Sequence, residues 1–182
     1  MKISKTQLAG ALIIEPNVFN DERGFFFESW NMKVWKEATG VDAQFVQDNQ
    51  SFSQRGALRG LHYQLLQPQG KLVRVTKGRV LDVAVDLRLK SKTFGQHITI
   101  ELSGKNQKQF WIPPGFAHGY VVLSETANFL YKTTDYYAPD DEHCIIWNDL
   151  ELNINWQLGN IEPLISKKDR NGQSFRAAPK YS

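Results

Sequence analysis

The segment Leu58-Arg59-Gly60-Leu61-His62-Tyr63-Gln64 places a guanidinium, a glycine and an imidazole within a few residues. It reads as a strand, yet it carries more polar groups than a packed strand needs. A second imidazole, His118, follows a proline–glycine turn in Pro113-Pro114-Gly115-Phe116-Ala117-His118-Gly119-Tyr120. With Lys71 and Arg59, these two histidines suit acid–base work on an anionic or carbonyl substrate. Such work needs a base, a group that holds its tautomer, and a cation to take up developing charge. Asp82, Asp86 and Asp169 are candidates for the orienting carboxylate. Tyr131, in Phe129-Leu130-Tyr131-Lys132-Thr133, could donate a proton from an opposite wall. Each group also has a plainer reading. A lone strand histidine is often only hydrogen-bonded, and Tyr131 by its spacing fits a core aromatic.

Short strands must position these groups. Strand patterns cover Ala11 to Glu15, Gly24 to Ser29, Gln44 to Asn49, Leu58 to Gln64, Lys71 to Thr76 and Arg79 to Arg88. In the last of these, Leu81, Val83, Val85 and Leu87 alternate with Asp82, Ala84 and Asp86. Further strands are predicted at Ile98 to Leu102, Phe110 to Ile112, Tyr120 to Leu123, Asn128 to Thr134 and Cys144 to Trp147. A loop rich in Ser and Gln precedes Leu58, and Lys77-Gly78 makes a turn. The one clear helix runs from Asn31, its cap, to Thr39, with Gly40 to stop it. Beyond Trp156 the chain reads as irregular, with a polar, exposed end. About ten closely spaced strands and one helix predict a mostly β chain, an antiparallel barrel or sandwich of the jelly-roll type with a few short helices. Arg59 and His62 are odd-spaced, so an unbroken strand would point them to opposite faces. A bulge at Gly60 is predicted, to bring both to one cavity. The Phe25-Phe26-Phe27 run cannot all enter one core, so a second subunit or a stacking ligand should cover part of it.

At 182 residues the chain is long enough for a single domain with a sizeable core. A net charge of +3, with no extended basic run, gives no support to nucleic-acid binding. Cys144 is the single cysteine, so no intrachain disulfide is possible and an oxidising compartment finds no support. Its neighbours Ile145 and Ile146 suggest a buried structural thiol. The apolar stretch near Met1 is short and is followed by Glu15-Pro16, which favours a strand over a signal peptide. No segment is long enough to span a bilayer, and a cytoplasmic location is the expectation.

Pro-x-Gly-x-x-His resembles the second motif of the cupins, small jelly-roll barrels. Gly56, His62, Gln64, Lys71 and Gly78 fall close to the spacing of their first motif. Gln64 stands at the position of the second metal-binding His, and Lys71 at that of the Glu. An amide is a poor ligand for a transition metal and an ammonium repels it, so a metal-free cavity is expected.

Several further blocks resemble one family within this fold. They are Asp21 to Ser29, Phe45 to Asn49, Leu58 to Gln64, Gly70 to Arg74, Asp82 to Asp86, Trp111 to Gly119 and Phe129 to Lys132. In the same order, these are similar to the dTDP-4-dehydrorhamnose 3,5-epimerases. The resemblance implies a metal-free, cofactor-free, homodimeric cupin acting on a dTDP-sugar in dTDP-L-rhamnose biosynthesis. It implies inversion of carbons 3 and 5 of dTDP-4-dehydro-6-deoxy-D-glucose through an enolate. By position it makes His62 the base, Tyr131 the acid, Asp169 the partner of His62, and Lys71 the group facing the C4 oxygen. His118 would line the sugar pocket. Arg23, Glu28, Gln47, Asn49, Arg59 and Lys168 would hold the nucleotide diphosphate or sugar. Tyr137 would stack near the thymine, and Glu142 matches a further contact position. An epimerase of one centre, a ketoisomerase on the same nucleotide sugar, and a non-catalytic sugar-nucleotide-binding cupin are the competing readings. A pure binder has no need of a base opposite an acid.

Overall fold

The computed structural model describes all residues from Met1 to Ser182. The chain opens with β1 (Lys2–Lys5), β2 (Leu12–Glu15), β3 (Phe19–Asp21) and β4 (Gly24–Phe26), then helix α1 (Met32–Thr39). Four long strands follow: β5 (Gln47–Gln54), β6 (Ala57–Gln64), β7 (Lys71–Lys77) and β8 (Arg79–Asp86). Next come β9 (His97–Ser103), β10 (Gln109–Ile112), β11 (Phe116–Val122) and β12 (Thr126–Thr133). Short β13 (Glu142–Cys144) and β14 (Leu164–Ile165) precede a single-turn helix, α2 (Lys167–Arg170).

Two sheets face each other. One runs β1-β2-β10-β7-β12-β5 and the other β13-β6-β11-β8-β9, with β14 parallel to β6. Between them Val73, Val75, Phe110 and Phe129 of the first sheet meet Val80, Ala84, Leu102 and Val122 of the second. The result is the jelly-roll sandwich expected, mostly strand with two short α-helices. The helix at Asn31 also forms as expected. The Asn31 side chain accepts the Val34 N–H at 3.2 Å, and Gly40 ends the helix in the left-handed region at φ 70°. Trp35 fixes this helix over the outer face of the first sheet, against Leu12, Ile14, Leu72 and Trp111.

Two expectations need correction. The strand predicted to stop at Asn49 runs on to Gln54, so the Ser- and Gln-rich stretch is not a loop. Its alternate residues Asn49, Ser51 and Ser53 face inward and pair with Tyr131, Phe129 and Ala127 of β12. They are polar because the space they line is polar. The tail is not an exposed end either. Phe175 and Ala178 are buried with Trp156, Leu152 and Ile145 against the outer face of the second sheet. Tyr181 exchanges backbone hydrogen bonds with Leu87 and Leu89. Both faces of β8 are therefore covered. Each large apolar side chain taken from water in this way contributes about 1.5–3 kcal/mol.

The bulge at Gly60 is present. His62 pairs with His118 and Arg59 with Tyr120, so Gly60 and Leu61 together oppose Gly119 alone. The extra residue flips parity, and Arg59 and His62 reach the same side as His118 and Tyr120. Gly60 has φ +106°, and a Cβ there would lie 2.5 Å from the His118 carbonyl oxygen and 2.7 Å from the Gly119 Cα. Backbone cannot yield as a flexible side chain can. Gly60→Ala is expected to cost about 2–4 kcal/mol in urea denaturation. Gly159→Ala, in the left-handed region with nothing within 4 Å of the new Cβ, should cost only about 1 kcal/mol. Equal losses would show that the close approach at Gly60 is unimportant.

Candidate active site

A cavity of about 160 Å³ lies between the sheets, lined by Ser51, Arg59, His62, Lys71, His118, Gly119, Tyr120, Phe129 and Tyr131. The second sheet supplies Arg59, His62, His118 and Tyr120. The first supplies Ser51, Lys71, Phe129 and Tyr131. His62 and Tyr131 thus approach the cavity from opposite walls.

His62 Nε2 donates to Asp169 Oδ1 at 2.5 Å, across 107 residues of sequence. Local structure explains the return. Leu164 and Ile165 run parallel to Ala57 and Leu58 on the strand that bears His62. The Ser166 hydroxyl then accepts the Asp169 N–H at 3.1 Å and starts α2. Burial opposes a charge on Asp169, but the hydrogen bond and the charge of His62 outweigh it and hold the carboxyl below its usual range. An ionised Asp169 fixes the proton on Nε2 and leaves Nδ1 as the basic nitrogen. Asp82 and Asp86, the alternative partners, have other work. Asp86 binds Arg88, Ser91 and Thr93.

Asp82 pairs with His118, whose Nε2 lies 3.0 and 3.1 Å from the two carboxylate oxygens. The structure therefore contains a second His–Asp pair, wholly buried, which sequence spacing did not identify. The signal was there: Asp82 alternates onto the inward face of a strand that lies beside the His118 strand. Burial lowers the His118 pKa and raises that of Asp82, each drawn back by the other. Lys71 is also buried, and burial lowers it to about 8, against the pull of Glu142 and Asp82. Lys71 lines the cavity, where its ammonium can meet a ligand. Burial raises the Tyr131 phenol, which is therefore protonated at neutral pH.

At the rim, Glu142 accepts from Tyr137 Oη at 2.8 Å and is ion-paired with Lys168. Gln47 Nε2 donates to Asn49 Oδ1 at 2.9 Å, and its own oxygen accepts the Tyr137 N–H. The Asn49 Nδ2 is buried without a partner. Arg59 reaches Ser53 Oγ at 3.3 Å. Arg23 and Glu28 are not brought to this cavity within one chain. Arg23 sits on the β3–β4 hairpin paired with Asp21, and Glu28 accepts from Asn31. Gln64, at the position of a cupin metal ligand, spends its amide on the carbonyls of Gln67 and Tyr136 and on the Ala138 N–H. Cys144 is only half-buried, and burial pushes its thiol up to about 12, so it is no activated nucleophile.

The profile of the dTDP-4-dehydrorhamnose 3,5-epimerase family matches residues 5–177. The enzyme of that name from Pseudomonas aeruginosa is 58% identical over 178 residues, covering 98% of each chain. The crystal structure of the 3,5-epimerase from Legionella pneumophila, in complex with dTDP-4-keto-L-rhamnose, superposes with a TM-score of 0.95 at 50% identity, over 100% of this chain and 98% of that one. A 3'-monoepimerase from Streptomyces bikiniensis, in complex with dTDP-quinovose, is more distant. It has a TM-score of 0.87 and 32% identity, over 93% of this chain and 85% of that one. With its jelly-roll fold and its paired histidines and carboxylates, the chain belongs to the dTDP-4-dehydrorhamnose 3,5-epimerase family, a family of isomerases.

Proposed function

We propose that this protein inverts carbons 3 and 5 of dTDP-4-dehydro-6-deoxy-D-glucose, giving dTDP-4-dehydro-L-rhamnose for dTDP-L-rhamnose synthesis. One observation carries the reading. His62 and Tyr131 face a single cavity from opposite sheets, with the buried ammonium of Lys71 on the same wall as Tyr131. His62 Nδ1 takes the proton from the carbon beside the ketone, and Asp169 stabilises the resulting imidazolium. Lys71 holds the C4 oxygen as it becomes an enolate. One such donor is worth about 2.7–4 kcal/mol by comparison with oxyanion holes. Tyr131 then gives its proton to the opposite face, solvent reprotonates Tyr131, and His62 returns its proton to water. Repeating the cycle at the second carbon completes the reaction, with no net redox change.

Arg59 and Lys168 offer cations to the diphosphate. Gln47, Asn49, Tyr137 and Glu142 form the adjoining polar rim, where Tyr137 would stack near the thymine. His118, held by Asp82, lines the sugar pocket. Arg23 and Glu28 reach a nucleotide only from a second copy of the chain. The exposed Phe19, Phe25 and Phe26 of the same hairpin favour this homodimeric arrangement. The similarity to a 3'-monoepimerase keeps a second reading in view, inversion of one centre by the same groups.

Incubation with the 4-keto sugar in D₂O decides between them. Two deuteriums per product molecule, seen by NMR, are expected, and one would identify a single-centre enzyme. His62→Asn should lower turnover by roughly 10²–10⁴-fold. Tyr131→Phe should keep hydrogen exchange at carbon 3 while inversion falls. If His62→Asn left exchange unchanged, the base assignment would be wrong.

Lys71 must be protonated to hold an enolate, and rising pH removes that proton. With the group near 8, kcat/KM should fall about tenfold per pH unit above that value. Lys71→Arg should remove this alkaline limb. A flat profile to about pH 9.5 would exclude Lys71 as the titrating group.

Subunit mixing tests the hairpin. Arg23→Ala and His62→Asn proteins, each nearly inactive, should regain activity when refolded together. The hybrid holds one intact pocket completed by one intact hairpin. No recovery would place Arg23 in its own chain's site, and an active Arg23→Ala protein would place it outside the reaction.

A further inference from the structure

Cys144 has no part in the chemistry above, yet it stands beside the groups on which that chemistry rests. Strand register explains its place, since Cys144 of β13 lies directly opposite His62 of β6. Helix α2 delivers Asp169 to the same point. The ligand atoms of His62, Cys144 and Asp169 all lie within 4.8 Å of one another. Cys144 Sγ is 3.8 Å from the Asp169 oxygen that receives the His62 proton.

One imidazole nitrogen, one sulfur and one carboxylate oxygen form a donor set suited to Zn²⁺ or Cd²⁺. Bond lengths of about 2.0–2.3 Å put donors roughly 3.3–3.8 Å apart around a tetrahedral ion, so small side-chain shifts close the site. Magnesium demands oxygen ligands in an octahedron and is excluded by this set. A second cavity, about 340 Å³ and lined by Arg59, His62, Ser166, Lys168 and Asp169, gives an ion access to the His–Asp pair. The nearby Lys168 charge is met by Glu142.

We propose that His62, Cys144 and Asp169 bind a thiophilic divalent cation, and that its binding stops catalysis. The inhibitory half rests on the reading of His62 as the base. Binding shifts the single imidazole proton from Nε2 to Nδ1 and releases the thiol proton to solvent. Bonds form from the metal to nitrogen, sulfur and oxygen, with no change of oxidation state, and the fourth position takes water. With the metal on Nε2 the ring proton sits on Nδ1, which then has no lone pair to act as the base. Asp169, now a ligand, no longer supports an imidazolium.

Because Cys144 is the single cysteine, a thiolate-to-cadmium charge-transfer band in the ultraviolet reports on this position alone. Titration of the full chain with CdCl₂ should raise the band to saturation at one equivalent. Cys144→Ser should abolish the band, and His62→Asn should weaken binding by roughly tenfold or more. In parallel, ZnCl₂ should inhibit the wild type roughly tenfold more strongly than Cys144→Ser. MgCl₂ should have no effect, and EDTA should restore activity. A band that never saturates at one equivalent, or is unchanged by His62→Asn, overturns the site. Saturation by metal with undiminished turnover overturns its inhibitory role. Failure of the base assignment is read separately, as metal-free turnover that survives His62→Asn.

Discussion

The site depends on two strands whose backbones approach too closely for any side chain between them. Gly60 and Leu61 of β6 oppose the single residue Gly119 of β11. A Cβ on Gly60 would strike the His118 carbonyl, and one on Gly119 would lie 2.6 Å from the Arg59 carbonyl oxygen. The two-to-one mismatch sends Arg59 and His62 to the same side of the sheet. Without it, one of them would join the apolar layer beneath the tail, where a charge finds no partner. The cavity is thus shaped by a backbone irregularity that aims Arg59 and His62 into it.

Once inward, the polar groups need compensation, because each charge taken from water loses several kcal/mol of hydration. The structure meets this with pairs. Asp169 is bonded to His62, to the Ser166 cap through its backbone, and weakly to Cys144. Asp82 is bonded to His118. Lys71 differs, as its nearest help is the longer-range attraction of Glu142 and Asp82. An ammonium whose charge is disfavoured by burial gains most when an anion arrives. That asymmetry is what a site selective for a charged intermediate requires.

Much of this was legible in the sequence, for physical reasons. Alternation along Arg79 to Asp86 and the Asn31 and Gly40 caps act locally, so their elements formed as read. The parity conflict between Arg59 and His62 predicted its own remedy at Gly60. Past Asn49 the polar β5 is not legible, because alternation of Ser and Gln looks like a loop unless the core is known to be polar there. The tail is not legible because Phe175 and Tyr181 stand alone among polar residues, and their burial depends on a sheet formed by distant sequence. Asp82 and Asp169 could not be told apart as partners of His62. Strand register and the parallel pairing of β14 decide between them, and neither is written in local spacing.

The division of labour between the sheets follows from the stereochemistry of the proposed reaction. Removing a proton beside a ketone leaves a planar enolate, which has two faces. A single sheet carrying both base and acid would return the proton to the face it left, and configuration would be retained. Here the imidazoles lie on one sheet, and the phenol of Tyr131 and the ammonium of Lys71 lie on the other. In the proposed reaction a planar intermediate between them would meet His62 on one face and Tyr131 on the other. The proposed reaction needs both sheets, with a gap between them that admits a sugar ring. The apolar layer of Val73, Val75, Phe110, Phe129, Val80 and Leu102 sets that gap. Close-packed side chains resist compression, so the separation of the walls that bear His62 and Tyr131 is fixed by the core rather than by the site itself.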